Sequence, residues 1–283
     1  MRNRNMIKFS IITATYNVAK TFRQTAESVF KQTYPSVEYI VIDGGSTDGT
    51  VNILKEYSSR LAYWVSEPDL GIYDAFNKGI RAATGDYIYF LGADDCFFDE
   101  KTLSRVSGAL NADIDVFSAA VCLVNEFCLE KVTGNELARN QEQYAGGMIP
   151  HQGMFVKADI LKARPFDDSF RLAGDYDFFL FCYFNEKISF QYEDFPVAYY
   201  ATGGFGSSNT DLSLEEHLRI WRKYHMVQLL KKYENGFNPN RFRAAIRACI
   251  DSMGVYPWYL RLFQGWRPHH CDNKICRWCG REG

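Results

Sequence analysis

Two short apolar runs in this 283-residue chain end abruptly in carboxylates: VIDGGSTDGT from Val41 to Thr50, and LGADD from Leu91 to Asp95. Buried strands of an α/β sheet read as apolar runs, and ligands bind beyond their carboxyl ends. Asp43 and the Asp94–Asp95 pair therefore fall on one rim of one sheet. There Asp43 can accept hydrogen bonds and the pair can hold a hard cation, and such a cation spans the oxygens of a nucleoside diphosphate. A further polar cluster, PDLGIYDAFNKG from Pro68 to Gly79, places Asp69, Asp74, Asn77 and Lys78 on a loop and the first turns of a helix. Amides at a helix start help hold phosphate, and Lys78 can offset its charge.

Positioning these groups requires strands and helices in alternation. Lys8–Thr13, Val37–Ile42, Leu61–Ser66 and Asp86–Leu91 read as strands. Between them, Val18–Gln32, Thr50–Tyr57 and Tyr73–Ala83 have helical spacing. Short loops between alternating elements predict a mostly parallel sheet with helices on both faces. Further on, Val116–Val124, Gly153–Val156, Ile188–Tyr192 and Val197–Tyr200 read as strands, and Lys157–Lys162 as a helix start. Gly174–Asn185, Leu212–Tyr233 and Phe237–Cys249 read as helices. Asp48 is expected to shape the turn after the second strand, with Gly44, Gly45 and Gly49 supplying positive φ.

Hydrophobic content of 47% and charged content of 23% are ordinary for a soluble domain, while aromatics reach 16%. The net charge of −2 conceals an asymmetry. From Leu218 onward thirteen Lys and Arg face four acids, about +9, so the first 217 residues carry about −11. A basic tail with Trp258, Tyr259, Phe263 and Trp266 beside Arg261 and Arg267 suits an anionic membrane surface. A merely solvated helical face is the simpler alternative. No nucleic-acid motif is present, which argues against a nucleic-acid partner. The N-terminus is too short and polar for a signal peptide, and no window approaches 18 apolar residues. The expectation is a cytoplasmic enzyme, peripheral on the inner face of the plasma membrane. Cys96, Cys122, Cys128, Cys182 and Cys249 are scattered, as reduced and mostly buried thiols are. His269, Cys271, Cys276 and Cys279 have the donor types for Zn2+, with a reduced tail as the simpler reading.

ITATYN (12–17), VIDGGSTDGT, SEPDLGIYDAFNKGIRAATGDYIYFLGADD (66–95) and AGDYDF (173–178) together resemble the family 2 glycosyltransferases, inverting enzymes of GT-A fold. The resemblance covers roughly residues 6–205. It implies a GT-A catalytic domain over 1–210, with 211–283 as a helical, basic and aromatic C-terminal extension. It also implies a nucleoside diphosphate sugar as donor and a glycan or lipid-linked saccharide as acceptor, in cell-surface polysaccharide assembly. Thr13, Thr15, Tyr16 and Asn17 would line the base and ribose pocket. Asp43 would accept from the nucleobase imide, favouring uracil or thymine, with a turn-capping role as its alternative. Asp74, Asn77, Lys78, Ala93 and Asp94 would contact nucleotide and donor sugar.

Two departures stand out. Gly92 replaces the first Asp of the D-x-D motif, leaving Asp94 to coordinate Mg2+ or Mn2+; magnesium commonly uses one or two carboxylates. Gly174 replaces the Glu of the E-D motif, leaving Asp175 as the general base, which must reach the acceptor hydroxyl opposite the leaving phosphate. Asp177 is the fallback base. His151, Gln152, Asp95 and Gly204 are candidates for the acceptor side or a closing loop. A catalytically silent GT-A module that binds nucleotide or glycan is the alternative function, and the two departures are its best support. A pyrophosphorylase-like enzyme is disfavoured, because the loop after the first strand lacks Gly and Lys.

Overall fold

Alternation along the first strand decides a two-sided architecture. In the computed structural model, which describes residues 6–111, 113–125, 129–133, 150–201, 210–227, 230 and 266–268, β1 (Phe9–Thr15) is buried on both faces. Phe9 and Ile11 enter one core and Ile12 the other. The same period of two sorts Tyr39 and Val41 from Ile40 and Ile42 on β2 (Val37–Asp43), and Tyr87 and Tyr89 from Ile88 and Phe90 on β4 (Tyr87–Phe90). The helices α1 (Phe22–Phe30), α2 (Thr50–Tyr57) and α4 (Thr102–Ala109) cover the first face. The second face is covered by α3 (Ile72–Ala82), α5 (Ala158–Ala163), α6 (Gly174–Phe184) and α7 (Thr210–Lys223).

The sheet is mixed. β3 (Tyr63–Ser66), β2, β1 and β4 pair in parallel, as strand–helix alternation requires. Beyond β4 come antiparallel pairs with β8 (Met154–Lys157), which joins β6 (Val116–Val124), which in turn joins β7 (Leu129–Thr133). β6 also pairs in parallel along its length with β9 (Phe190–Ala201). β9 is one strand where two are expected from the sequence. The interruption is a bulge: Ala119 faces Glu193 and Ala120 faces Pro196, leaving Asp194 and Phe195 between. Pro196 has no N–H to donate to a ladder, so the register slips there. β5 (Cys96–Phe97), too short to read from sequence, pairs with the end of β9.

The helix expected over Leu212–Tyr233 stops at Lys223, and His225 takes a left-handed φ of 53°. α7 packs on the second face of the sheet. Ile220 is fully buried, Trp221 Nε1 donates to the Tyr176 hydroxyl at 3.3 Å, and Tyr224 donates to the Asp177 carbonyl at 3.0 Å. The C-terminal part also supplies β10 (Arg267–Pro268), antiparallel to β7 with Arg267 opposite Glu130. The helix expected over Phe237–Cys249, the loop holding Gly204, the aromatics Trp258, Tyr259 and Phe263, and the zinc candidates His269, Cys271, Cys276 and Cys279 lie outside the described residues. Cys96, Cys122 and Cys182 are buried, and burial pushes the Cys182 thiol up to about 12. No helix among the described residues is long and apolar enough to cross a membrane.

Candidate functional site

The carboxyl ends of β1, β2 and β4 meet at one rim, where the loops are stapled by short polar side chains. Asn17, at φ 53°, accepts from the Thr47 amide at 2.9 Å and donates its own amide to Ser46 Oγ at 2.8 Å. Asp48 accepts from the Ala19 amide and from the Thr50 amide and hydroxyl, which fixes the entry to α2 as its sequence position predicts. Gly45 and Gly49 carry the positive φ the turn needs, 84° and 106°. Gly44 does not. A Cβ there would lie 2.5 Å from Asp69 Oδ2, so its role is to admit Asp69.

Several residues assigned to the donor by sequence are turned into the protein. Asp43 is fully buried and accepts from Thr15 Oγ1, Ser46 Oγ, Ser66 Oγ and the amides of Gly45 and Ser46. These donors outweigh the burial that would raise its pKa and hold it below the usual range. It is a turn-organising carboxylate, bonded by five donors of its own turn and neighbouring strands. Thr13 is buried beneath the Tyr39 hydroxyl, and Thr15 is spent on Asp43. Asn77 is buried, and both ends of its amide pair with the backbone of Phe166, at 2.9 and 3.0 Å. Lys78 is held by Glu67 at 2.8 Å and Asp74 at 3.5 Å, and Asp74 also accepts from the Leu70 amide. Both therefore shape the loop before α3. The Ala93 carbonyl is taken by Thr21 Oγ1. Tyr16 and Asn17 are the exposed residues of the β1 segment.

Behind the second rim segment, Asp95 is buried and accepts from the Ala201 amide at 2.9 Å, tying the turn after β4 to the end of β9. This explains the first departure. A Cβ on residue 92 would lie 2.4 Å from Asp95 Oδ2, so a side chain there would displace the tie. Asp95 is thus a brace and not an acceptor contact. Asp94 beside it is half-buried. Tyr200, missed from sequence, stands within electrostatic reach of Asp95, Asp94 and Asp175; burial first and these charges next push its hydroxyl up to about 12.

Asp175 opens α6, where a helix N-terminus favours negative charge. Its Oδ1 accepts from the Tyr73 hydroxyl at 2.9 Å and the Tyr176 amide at 3.0 Å, and its Oδ2 pairs with His151 Nδ1 at 2.8 Å. Burial opposes the charge, but His151, Tyr73 and the amide outweigh it and leave the pKa lowered. The His151 pKa is raised despite burial, because Asp175 bonds and attracts it and Asp95 adds charge. The second departure follows. A Cβ on residue 174 would lie 2.9 Å from two ring carbons of Tyr73, so glycine is what lets Tyr73 reach Asp175. Tyr73 was legible in sequence only as the first residue of a helix; the missing Glu was the signal that something else fills its place. Gln152 is buried, and its backbone carbonyl accepts from the Tyr89 hydroxyl, which braces the turn. Asp177, the fallback base, is fully buried between Arg164 and Lys223 and is structural. Glu216 on α7 accepts from three successive amides, Arg171, Leu172 and Ala173, at 2.6, 2.9 and 2.8 Å, and so fixes the segment leading into Asp175.

Among the described residues no group of three or more His, Cys, Asp or Glu is arranged to hold a metal ion. The half-buried Asp94 instead fits a cation carried largely by donor phosphates and water, as magnesium is bound.

The chain is similar to known proteins over this same region. The family model "Glycosyl transferase family 2" matches residues 10–156. A PGL/p-HBAD biosynthesis glycosyltransferase of Mycobacterium bovis is 31% identical over 220 residues, 73% of this chain and 81% of the relative. Among solved structures, S. aureus TarS 1–349 in complex with UDP-GlcNAc superposes with a TM-score of 0.60 at 23% identity, over 72% of this chain and 61% of that one. A mannosyltransferase from Pyrobaculum calidifontis in complex with GDP-Man and Mn2+ gives 0.58 at 19% identity, over 92% and 84%. The α/β sheet and its flanking helices have GT-A-like neighbours, and the match in sequence spans the rim just described: this chain belongs to the family 2 glycosyltransferases.

Proposed function

We propose that the chain is an inverting, metal-assisted transferase that moves a sugar from a UDP- or dTDP-sugar to a hydroxyl of a glycan or lipid-linked saccharide in cell-surface polysaccharide assembly. The observation that carries this reading is the Asp175–His151 pair, a half-buried acid–base couple at 2.8 Å with its own positioning hydroxyl from Tyr73. Its chemistry is that of a group that removes a proton from an acceptor hydroxyl. The acceptor oxygen then attacks the anomeric carbon from the side opposite the diphosphate. Asp94 would hold the divalent cation, which when bound stabilises the departing diphosphate. Support for a uracil donor comes from TarS and its UDP-GlcNAc, not from Asp43, whose carboxylate is spent on the turn. The M. bovis relative, named for PGL/p-HBAD biosynthesis, supports a cell-envelope glycan setting. The charge of about +9 beyond Leu218 favours an anionic membrane surface for the C-terminal region.

The silent-module reading loses its best support. Gly92 and Gly174 make room for Asp95 and Tyr73, and so are coupled to the site rather than signs of its decay. The test is a thermal-shift panel of UDP, dTDP, GDP and CMP, each with Mn2+, Mg2+ or chelator, on the parent and Asp94→Ala. Metal-dependent stabilisation by a nucleoside diphosphate, lost in the variant, is expected. No stabilisation by any nucleotide refutes the transferase reading.

A further inference from the structure

We propose that the atom receiving the acceptor's proton is Nε2 of His151, with Asp175 acting as the fixed partner that orients the imidazole. The inference rests on the transferase reading above and assigns the base within it.

The geometry separates the two groups. Three donors already bond the Asp175 carboxylate: Tyr73 and the Tyr176 amide on Oδ1, and His151 Nδ1 on Oδ2. Hydrogen bonds to a charged carboxylate favour that form and weaken its pull on a further proton. His151 is the reverse case. Nδ1 is committed to Asp175, while Nε2 has no hydrogen-bond partner among the described residues and the side chain is 29% exposed. A carboxylate on Nδ1 requires the proton there, which leaves the lone pair on Nε2. The ring is also held in place. His151 begins a 3₁₀ turn, His151–Gly153, whose Gly153 packs so closely on β6 that a Cβ would lie 2.4 Å from the Ala119 carbonyl oxygen. The next carbonyl, that of Gln152, accepts from Tyr89 of β4. A nucleophile's base oriented by a third group is the arrangement general base catalysis needs.

The step balances without any further reactant. The acceptor O–H proton passes to Nε2, and the oxygen's electron pair forms the bond to the anomeric carbon. The bond from that carbon to the phosphate oxygen breaks, and the nucleoside diphosphate leaves with its electrons. Asp175 stays ionised throughout beside the imidazolium, which then returns its proton to solvent. Among the described residues, the charged groups within electrostatic reach of the ring are Asp175 from α6 and Asp95 from the turn after β4, both of which favour the imidazolium. The turn's other neighbours, β4 and β9, bring the phenols Tyr89 and Tyr200, whose pKa values are raised by burial, so they stay neutral across the working range.

Two measurements on the full chain test the assignment. Imidazole ¹⁵N NMR should find the Nδ1–H tautomer for neutral His151, with a titration that moves to lower pH in Asp175→Asn; an Nε2–H tautomer overturns the proposal. The second measurement is nucleoside diphosphate release from UDP-glucose, UDP-N-acetylglucosamine, dTDP-glucose and GDP-mannose with Mn2+, water serving as acceptor. His151→Gln keeps a donor toward Asp175 but has no base, so kcat should fall about 100-fold or more with donor KM little changed. The parent's acid limb should lie in the histidine range, above that of an unpaired imidazole, and vanish in the variant. Near-parental kcat in His151→Gln, with the acid limb moved down into the carboxylate range, makes Asp175 the base and leaves the transferase reading standing. Failure of every nucleotide sugar to shift the melting temperature refutes the transferase reading itself, and the base assignment with it.

Discussion

Gly174→Ala tests the coupling between the E-D departure and Tyr73 of α3, because two physical arguments give opposite signs. Gly174 is the first residue of α6, and replacing a helical glycine by alanine ordinarily stabilises by up to about 1 kcal/mol. Here the new Cβ would stand 2.9 Å from Cδ2 and Cε2 of Tyr73 and 3.0 Å from Cγ. Tyr73 cannot swing away freely. It is 4% exposed, with Phe76 edge-on at 6.2 Å and Phe166 tilted against it at 5.5 Å. Overpacking of this kind costs about 1–3 kcal/mol, and displacing the Tyr73 hydroxyl from Asp175 adds a lost hydrogen bond to a charged group, about 1.5–3 kcal/mol at most. The variant should therefore be destabilised by about 1.5–5 kcal/mol, a net of these two losses against the helical gain. In a Tyr73→Ala background the same substitution meets open space, and its effect should fall to near zero or reverse. Urea unfolding followed by circular dichroism on the four proteins of the cycle gives the coupling directly. Stabilisation by Gly174→Ala in the parent, or an equal cost in both backgrounds, would refute the steric argument.

Two further outcomes follow from buried carboxylates. Glu216→Ala removes the acceptor for three consecutive amides ahead of Asp175, so urea unfolding should register a loss of about 3 kcal/mol. Donor turnover should drop in the same variant under conditions where it remains folded, since the segment that carries Asp175, the partner of His151, loses its tie; full activity would show the tie to be dispensable. Glu38 lies away from the rim and should dominate acid sensitivity. Burial would raise its pKa, but bonds from Lys8, Ser10 and Thr84 pull it down to about 2. A depressed carboxylate contributes stability above its unfolded value of 4.5, and that contribution, about 3 kcal/mol, is lost as pH falls from about 4.5 toward 2. Glu38→Gln should be less stable than the parent at pH 7 and show a flatter stability profile below pH 5. Identical acid profiles for the two proteins would contradict the assignment.

The parallel half of the sheet was legible because its signals are local. Val37–Ile42 and Asp86–Leu91 are apolar runs bounded by turn residues, and Thr50–Tyr57 has both helical spacing and a polar entry at Asp48. Those features fix element type, and through the strand–helix alternation they fix which ends form the rim. The rim's acidic positions were legible for the same reason. Which of them face outward was not. Asp43, Asn77 and Thr13 sit among likely ligands in sequence, yet each is buried, because its partners come from Ser66, Phe166 and Tyr39 on other elements. The two glycine departures read as losses along the chain and as accommodations in space. Only the fold brings Tyr73 of α3 against residue 174, and Asp95 against residue 92. Sequence thus determined the sheet, its rim and the family to which the chain belongs, all products of short-range pattern. Tertiary structure decided the Tyr73–Asp175–His151 cluster, whose members are 102 residues apart at the Tyr73–Asp175 bond, and the clamp from Glu216 in α7. Contacts between side chains that distant leave no periodicity to read; they exist only once packing has closed the chain on itself.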